Sequence, residues 1–303
     1  MVKMNVTFLG TSSMTPTKTR GQSGIYVDCG KEKILLDCGE NIQRQMRIIG
    51  ISPPKTTRIF ISHWHGDHVF GLPGLLENIA KNAFEKKIEI YGNAEVKKRL
   101  NQLVKAFDLN HKLKINFNLI EKNGIFLKTD DYEFGAYLLK HGTPCLGYYI
   151  KEKDRICVDK AKMKKVGLPS GPIIRKIKSK KDVTFKGKKI KWKDVTYLKE
   201  GKKIAVLLDT GICRSAISLA KNSDLLICES TYLDERKENA IKYNHLTSGQ
   251  CGEIATKSGS KKVIITHFSQ RYEKEDIAKM KKEVKKEFKG KVDAAEDFMI
   301  VEV

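Results

Sequence analysis

The first ninety or so residues alternate short apolar runs with polar turns. NVTFLG, GIYVDCG, KILLDCG, TRIFIS and KIEIYG are rich in Val, Ile, Leu, Phe and Tyr and close on Gly, Asp or Ser. Runs of that length and bounding predict buried strands. LPGLLENIAKNAF and AEVKKRLNQLVKAF instead place apolar residues three and four apart, which predicts amphipathic helices. The second half repeats the alternation. YEFGAYLLKHG, KIAVLLDTG, DLLICEST and KKVIITHFS read as strands; SAISLAKNS, TSGQCGEIATKSG and EDIAKMKKEVKKEFKG read as helices. Strands alternating with helices predict an α/β fold. No short repeat or low-complexity segment stands out.

Four of these strands end on residues that can bind metal. TRIFIS runs into SHWHGDH, which carries His63, His65, Asp67 and His68. YEFGAYLLKHG ends at His141, KIAVLLDTG at Asp209 and KKVIITHFS at His267. The chain has 7 histidines, and three of them stand in the one loop. Imidazoles brought together need partners for two nitrogens each, so a crowded group predicts a metal centre rather than core. Apolar strands sharing a sheet bring their carboxyl ends to one edge, where distant ligands meet. Five histidines and two aspartates exceed one tetrahedral zinc. They fit two divalent metals about 3.5–4 Å apart with a bridging carboxylate. The mixed nitrogen and oxygen donors suit zinc, with manganese or cobalt as alternatives.

Charge changes the picture in the middle of the chain. The formal net charge is +22, a field that attracts polyanions. Between Lys160 and Lys193 stand fourteen Lys or Arg and one acid, Asp182, so this segment alone carries +13. It is broken by Gly and Pro and sparse in apolar residues. It reads as an inserted arm, at about residues 155–195, within a single domain spanning 1–303. Such density repels itself unless an anion is bound, and phosphates would serve.

The remaining composition excludes other classes. No run is long enough to span a membrane, and the N-terminus lacks the apolar core of a signal peptide, so a cytoplasmic protein with no membrane partner is expected. The 7 cysteines are scattered without a CxxC, against a disulfide framework or zinc ribbon.

His-x-His-x-Asp-His followed by a distant His, Asp and His resembles the metallo-β-lactamase superfamily. FLGTSS, HWHGDHVFGLPGLL, GLPSGPIIRKIKSKKDV, LLDTGICRS, CEST, NHLTSGQ and THFSQRY together resemble its ribonuclease Z branch, the tRNA 3′-processing endonucleases. The resemblance spans nearly the whole chain. It implies an αββα four-layer sandwich and a homodimer. It implies one metal on His63, His65 and His141, a second on Asp67, His68 and His267, and Asp209 bridging. Asp67 would also orient the attacking water, and His245, backed by Glu229, would protonate the leaving group. The substrate would be precursor tRNA, cut to a 3′-OH tRNA and a 5′-phosphate trailer. Lys18, Arg20, Ser269 and Arg271, with Gly171, Pro172, Arg175, Lys176 and Lys178 of the arm, would bind it. Two departures stand out. The family's Pro-x-Lys-x-Arg-Asn loop reads PTKTRG, with Gly21 in place of Asn, and its His-Glu-Ala-Thr segment reads Cys228-Glu229-Ser230-Thr231. Two other readings start from the same residues. Another dinuclear metallohydrolase, acting on small phosphodiesters or thioesters, explains the ligands but not the arm. A non-catalytic RNA-binding protein would have lost ligands, and none of the seven is missing.

Overall fold

The computed structural model describes residues 4–82, 87–109 and 113–303. They fall into two compact units, one of Lys128 and the residues before it with Phe134–Ile150 and Lys203–Val303, the other of Thr129–Glu133 and Lys151–Lys202. The strands of two large sheets are β1 Asn5–Gly10, β2 Gly24–Cys29, β3 Glu32–Leu36, β4 Arg58–Phe60, β5 Lys87–Gly92, β6 Lys114–Leu119 and β7 Gly124–Lys128. They continue as β8 Tyr132–Leu139, β9 Cys145–Glu152, β10 Lys203–Leu207, β11 Leu225–Glu229, β12 Lys262–Thr266, β13 Lys291–Ala294 and β14 Ile300–Glu302. One sheet has the order β14-β1-β2-β3-β4-β5-β6, the other β13-β12-β11-β10-β9-β8-β7.

Alternation along each strand sorts its residues between two faces. Ile59 joins Leu72, Leu75, Leu76 and Ile79 of the helix Leu72–Asn82 and Val96 and Leu100 of the helix Ala94–Ala106. Its neighbour Phe60 points the other way, stacking on Tyr148 of β9 at 5.1 Å and meeting Phe134 of β8 edge-on at 5.8 Å. The two sheets therefore face each other across an aromatic seam. On the far sheet Leu226 and Cys228 pack against Leu219, Ile254, Ala255, Met280 and Val284 of three helices. The layering is αββα. Ala83 and Phe84, at the end of one expected helix, lie outside the described residues.

Parallel pairing aligns the strand ends. Leu36 pairs with Phe60 and Phe60 with Tyr91, so β3, β4 and β5 finish together. Leu207 pairs with Cys228 and Cys228 with Ile265, so β10, β11 and β12 do the same. The segments leaving those ends carry the chemistry.

The second unit has a core of its own. Met163, Leu168, Ile177, Val183, Ile190 and Val195 are buried together, with Val158, Ile173, Ile174, Phe185 and Trp192 packed around them. Most come from the helices Lys160–Lys165 and Pro172–Lys178, the hairpin of Val183–Phe185 with Lys188–Ile190, and the strand Arg155–Val158, which pairs antiparallel with Thr196–Lys199. Trp192 and Val195 come from the short 3-10 helix Trp192–Val195, and Leu168 from the segment after the first helix. A segment read as an inserted arm sparse in apolar residues thus folds around those few, with lysines on the outside.

Candidate active site

Asp67, His68 and His63 arrive from the end of β4, His141 from β8, Asp209 from β10 and His267 from β12. Asp209 and His267 turn the chain with positive φ, 45° and 61°. Left-handed backbone at a non-glycine residue costs about 1–3 kcal/mol and persists where surroundings impose it.

The side chains converge. Asp209 Oδ2 lies 3.6 Å from His63 Nε2 and 3.7 Å from His141 Nε2, while its Oδ1 lies 3.0 Å from His267 Nε2 and 3.4 Å from His68 Nε2. Asp67 Oδ2 lies 3.3 Å from His68 Nε2 and 3.5 Å from His267 Nε2. His65 Nδ1 is 3.3 Å from His141 Nε2. Two groups of metal-competent donors result, His63, His65, His141 and Asp209 on one side, Asp67, His68 and His267 on the other. A third group, Asp209, His245 and His267, overlaps both.

The far nitrogens are held by protein. His68 Nδ1 donates to Asp37 at 2.7 Å. His63 Nδ1 donates to Ser62 Oγ at 3.0 Å, and that hydroxyl donates to Asp37 at 2.6 Å. His141 Nδ1 donates to the Asn244 carbonyl at 3.1 Å. His267 Nδ1 donates to Thr231 Oγ1 at 3.0 Å, whose hydrogen goes to Glu229 at 2.6 Å. Each bond fixes the tautomer that leaves Nε2 with a lone pair. The Nε2 atoms of His63, His68 and His267 and Oδ1 of Asp209 are buried without a hydrogen bond. An unsatisfied buried polar atom costs about 1–3 kcal/mol. Four at one point, all metal donors, fit a cation.

The electrostatics agree. Burial, with the neighbouring His68, holds the His63 pKa well below its ordinary value. Burial works the same way on His68 and His267, but at His68 Asp67, Asp209 and Asp37 outweigh it and raise the pKa, and at His267 Asp209 and Asp67 push it up to about 10. Burial would raise Asp67 and Asp209, yet the surrounding imidazoles lower both. The carboxylates demand positive charge where little water reaches.

Beside this cluster, Glu229 is fully buried at the end of β11. It accepts from His245 Nδ1 at 3.1 Å, from Leu246 N at 3.1 Å and from Thr210 N. Burial would lower the His245 pKa, but Glu229 and Asp209 raise it. With Nδ1 committed to Glu229, Nε2 is left to a cavity of about 670 Å³ that His65, Asp67, His141, Asp209, His245 and Ser269 help to line.

The expected substrate-binding residues are placed variously. Ser269 lines the cavity and accepts from Arg271 Nε at 3.0 Å; Arg271 stacks over Tyr232, another lining residue, at 5.7 Å. Arg20 is committed inward, donating to the Tyr272 carbonyl at 2.7 Å, while Lys18 is exposed. Gly171, Pro172, Arg175, Lys176 and Lys178 lie in the second unit, at and within the helix Pro172–Lys178, with Gly171 as its N-cap at φ 149°.

Sequence reasoning misses Asp37. Its signal is a recurrence, Leu35-Leu36-Asp37-Cys38-Gly39 against Leu207-Leu208-Asp209-Thr210-Gly211. Both aspartates follow a strand end and both have positive φ, 56° at Asp37.

Fold and cluster together define a protein of the metallo-β-lactamase fold. A family model described as anti-Pycsar protein Apyc1 matches residues 4–157, and that stretch belongs to its family. The metallo-β-lactamase fold protein YhfI from Bacillus subtilis is similar with a TM-score of 0.73 at 19% identity, covering 99% of this chain and 100% of that one. The short form of human tRNase Z is similar with a TM-score of 0.70 at 26% identity, covering 98% of each chain. Ribonuclease Z of Nanoarchaeum equitans is 35% identical over 270 residues, 88% of this chain and 83% of its own. As a whole the chain belongs to the ribonuclease Z family, endoribonucleases that hydrolyse phosphodiester bonds.

Proposed function

We propose that this protein removes the 3′ trailer from precursor tRNA, leaving a 3′-OH on the tRNA and a 5′-phosphate on the trailer. The observation that carries this reading is a cavity lined by members of two donor groups, with Asp209 between them, beside a buried Glu229–His245 pair, in a chain of the ribonuclease Z family. The alternative of a small-substrate metallohydrolase gains nothing from the whole-chain relatives.

His63, His65 and His141 would hold one divalent metal and Asp67, His68 and His267 the other. Asp209 would bridge, since one carboxylate oxygen faces each group. When bound, two such ions supply Lewis-acid stabilisation of phosphate charge and bring the pKa of water toward about 7. Zinc is the assignment, supported by imidazole and carboxylate donors. Asp67, whose Oδ2 accepts from Met14 N at 2.8 Å, would orient the attacking water or take its proton. His245 gives a proton to the departing O3′. Glu229 holds the ring and raises its pKa, which favours the imidazolium form that donates. No 2′-OH nucleophile is required. Ser269 lines the cavity, and Arg271, bonded to it and lying over the lining residue Tyr232, would help it meet phosphate oxygens. A cytoplasmic location is supported by seven free cysteines, which suit a reducing compartment. A homodimer is carried over from the family resemblance, and sedimentation tests it. Among the described residues no helix is long and apolar enough to cross a membrane.

The test is to incubate purified protein with a 3′-extended precursor tRNA and map both new ends. A single cut yielding 3′-OH and 5′-phosphate is expected. A 2′,3′-cyclic phosphate, or an intact precursor in the presence of zinc or manganese, overturns the reading. Elemental analysis of the same preparation should find about two metals per chain.

A further inference from the structure

The cavity wall contains a feature that the hydrolytic scheme does not use. Phe70 lines it and is 66% exposed. Exposed aromatics scattered singly need no explanation, but this one is built in. It directly follows the short helix Gly66–Val69 that carries Asp67 and His68. A Cβ on Gly66 would lie 2.1 Å from Phe70 Cζ and 2.3 Å from Cε2, so the ring rests on the bare backbone of the metal loop. One face is thus supported beside the chemistry and the other is open. Met14, 72% exposed, lines the same cavity.

We propose that Phe70 is the stacking platform for the nucleobase of the first trailer nucleotide, and so a substrate-positioning residue for the cut. The proposal rests on the reading of this cavity as the cleavage site. An endonuclease that presents one phosphate to a buried cluster must unstack the two flanking bases, and each then needs a new surface. His245, donor to the departing O3′, follows directly on Lys242, Tyr243 and Asn244, all of which line the cavity. The tRNA-end nucleoside, which carries that oxygen, belongs against this segment. The trailer nucleoside, joined to phosphorus through O5′, is left the apolar surface of Phe70 and Met14. Tyr243 is a weaker candidate for this role, because Lys242 Nζ sits over its ring at 5.3 Å. Base-on-aromatic stacking tolerates any base, as trailers of varied sequence require.

The experiment combines Phe70→Ala, Phe70→Leu and Phe70→Trp with precursors that are intact, abasic at the first trailer nucleotide, or abasic at the last tRNA nucleotide. On intact precursor, Phe70→Ala and Phe70→Leu should lower kcat/KM by about 5- to 150-fold, and Phe70→Trp should restore it. On the precursor abasic in the trailer, wild type should fall by a similar factor and Phe70→Ala should lose little more. With the abasic site on the tRNA side, the two losses should multiply. A second readout needs no cleavage: 2-aminopurine at the first trailer position should be quenched on binding wild type and not Phe70→Ala. Equal losses on intact and trailer-abasic precursors, full activity of Phe70→Leu, or equal quenching by Phe70→Ala would each overturn the proposal. Failure of wild type to cut while quenching persists would count against the cleavage reading instead.

Discussion

Asp37 is buried away from the cavity, yet two candidate ligands depend on it. Its carboxylate accepts a hydrogen bond from His68 Nδ1 and another from the Ser62 hydroxyl, whose oxygen in turn accepts from His63 Nδ1. Asp37→Ala frees both rings to rotate and to exchange tautomers. Loss of such a partner lowers metal affinity about 10- to 100-fold; competition against a chromogenic chelator measures it, and unchanged affinity would remove Asp37 from the metal centre. His245 is the contrasting case. Its raised pKa comes from Glu229 and Asp209 against burial, and its Nδ1 is already taken. His245→Ala is expected to cut turnover by about 10²- to 10⁴-fold with metal content preserved. Loss of metal in that variant would make His245 a ligand, as its grouping with Asp209 and His267 permits. The candidate ligands could be read from the sequence because histidine is scarce here and stands at strand ends. Asp37 could not, because a lone aspartate closing a strand also caps turns; only its likeness to Asp209 distinguishes it.

Between elements, the metal loop is held by backbone. Cys38 N donates to the His68 carbonyl at 2.7 Å and Gly71 N to the Cys38 carbonyl at 3.0 Å. These two bonds dock the segment after β4 onto the segment after β3. A Cβ on Gly71 would stand 2.1 Å from the Gly39 carbonyl oxygen, a clash that backbone cannot relieve cheaply. Gly71→Ala should therefore push the loops apart, cost about 1–3 kcal/mol as overpacking does, and lower metal occupancy with it. Thermal unfolding beside elemental analysis tests this, and a variant of wild-type stability and full occupancy would show that the loops can part. Many elements were legible: Leu72, Leu75, Leu76 and Ile79 announce a helix by spacing and Thr247 caps another, though the strands Lys114–Leu119, Gly124–Lys128 and Cys145–Glu152 escape the sequence reading. The close approach of Gly71 to Gly39 was not, since it joins strand ends distant in sequence and follows from parallel register rather than from local pattern.

At the scale of the whole molecule, charge and chemistry are divided between two units. The metal donors and the Glu229–His245 pair all belong to the unit containing both large sheets. The segment from Lys160 to Lys193, with fourteen basic residues against Asp182, belongs to the other. Its small core was hidden in the sequence because six buried apolar side chains are spread thinly among lysines over two helices, a hairpin and the segments between them. That core shares no residue with the two larger ones. Replacing residues 160–193 by a Gly/Ser linker should accordingly spare the metal centre, and hydrolysis of a small chromogenic phosphodiester should survive. Precursor tRNA binding should weaken, and its dependence on salt should become shallower by about 0.7–0.9 in log–log slope for each phosphate that is no longer neutralised. Lys and Arg greatly outnumber the aromatics Phe185 and Trp192 in this segment, so recognition of the RNA backbone rather than base stacking should dominate. Binding titrations at several salt concentrations, run beside the small-diester assay, decide it. Unchanged affinity and slope with small-diester activity intact would leave the basic unit without a part in holding tRNA.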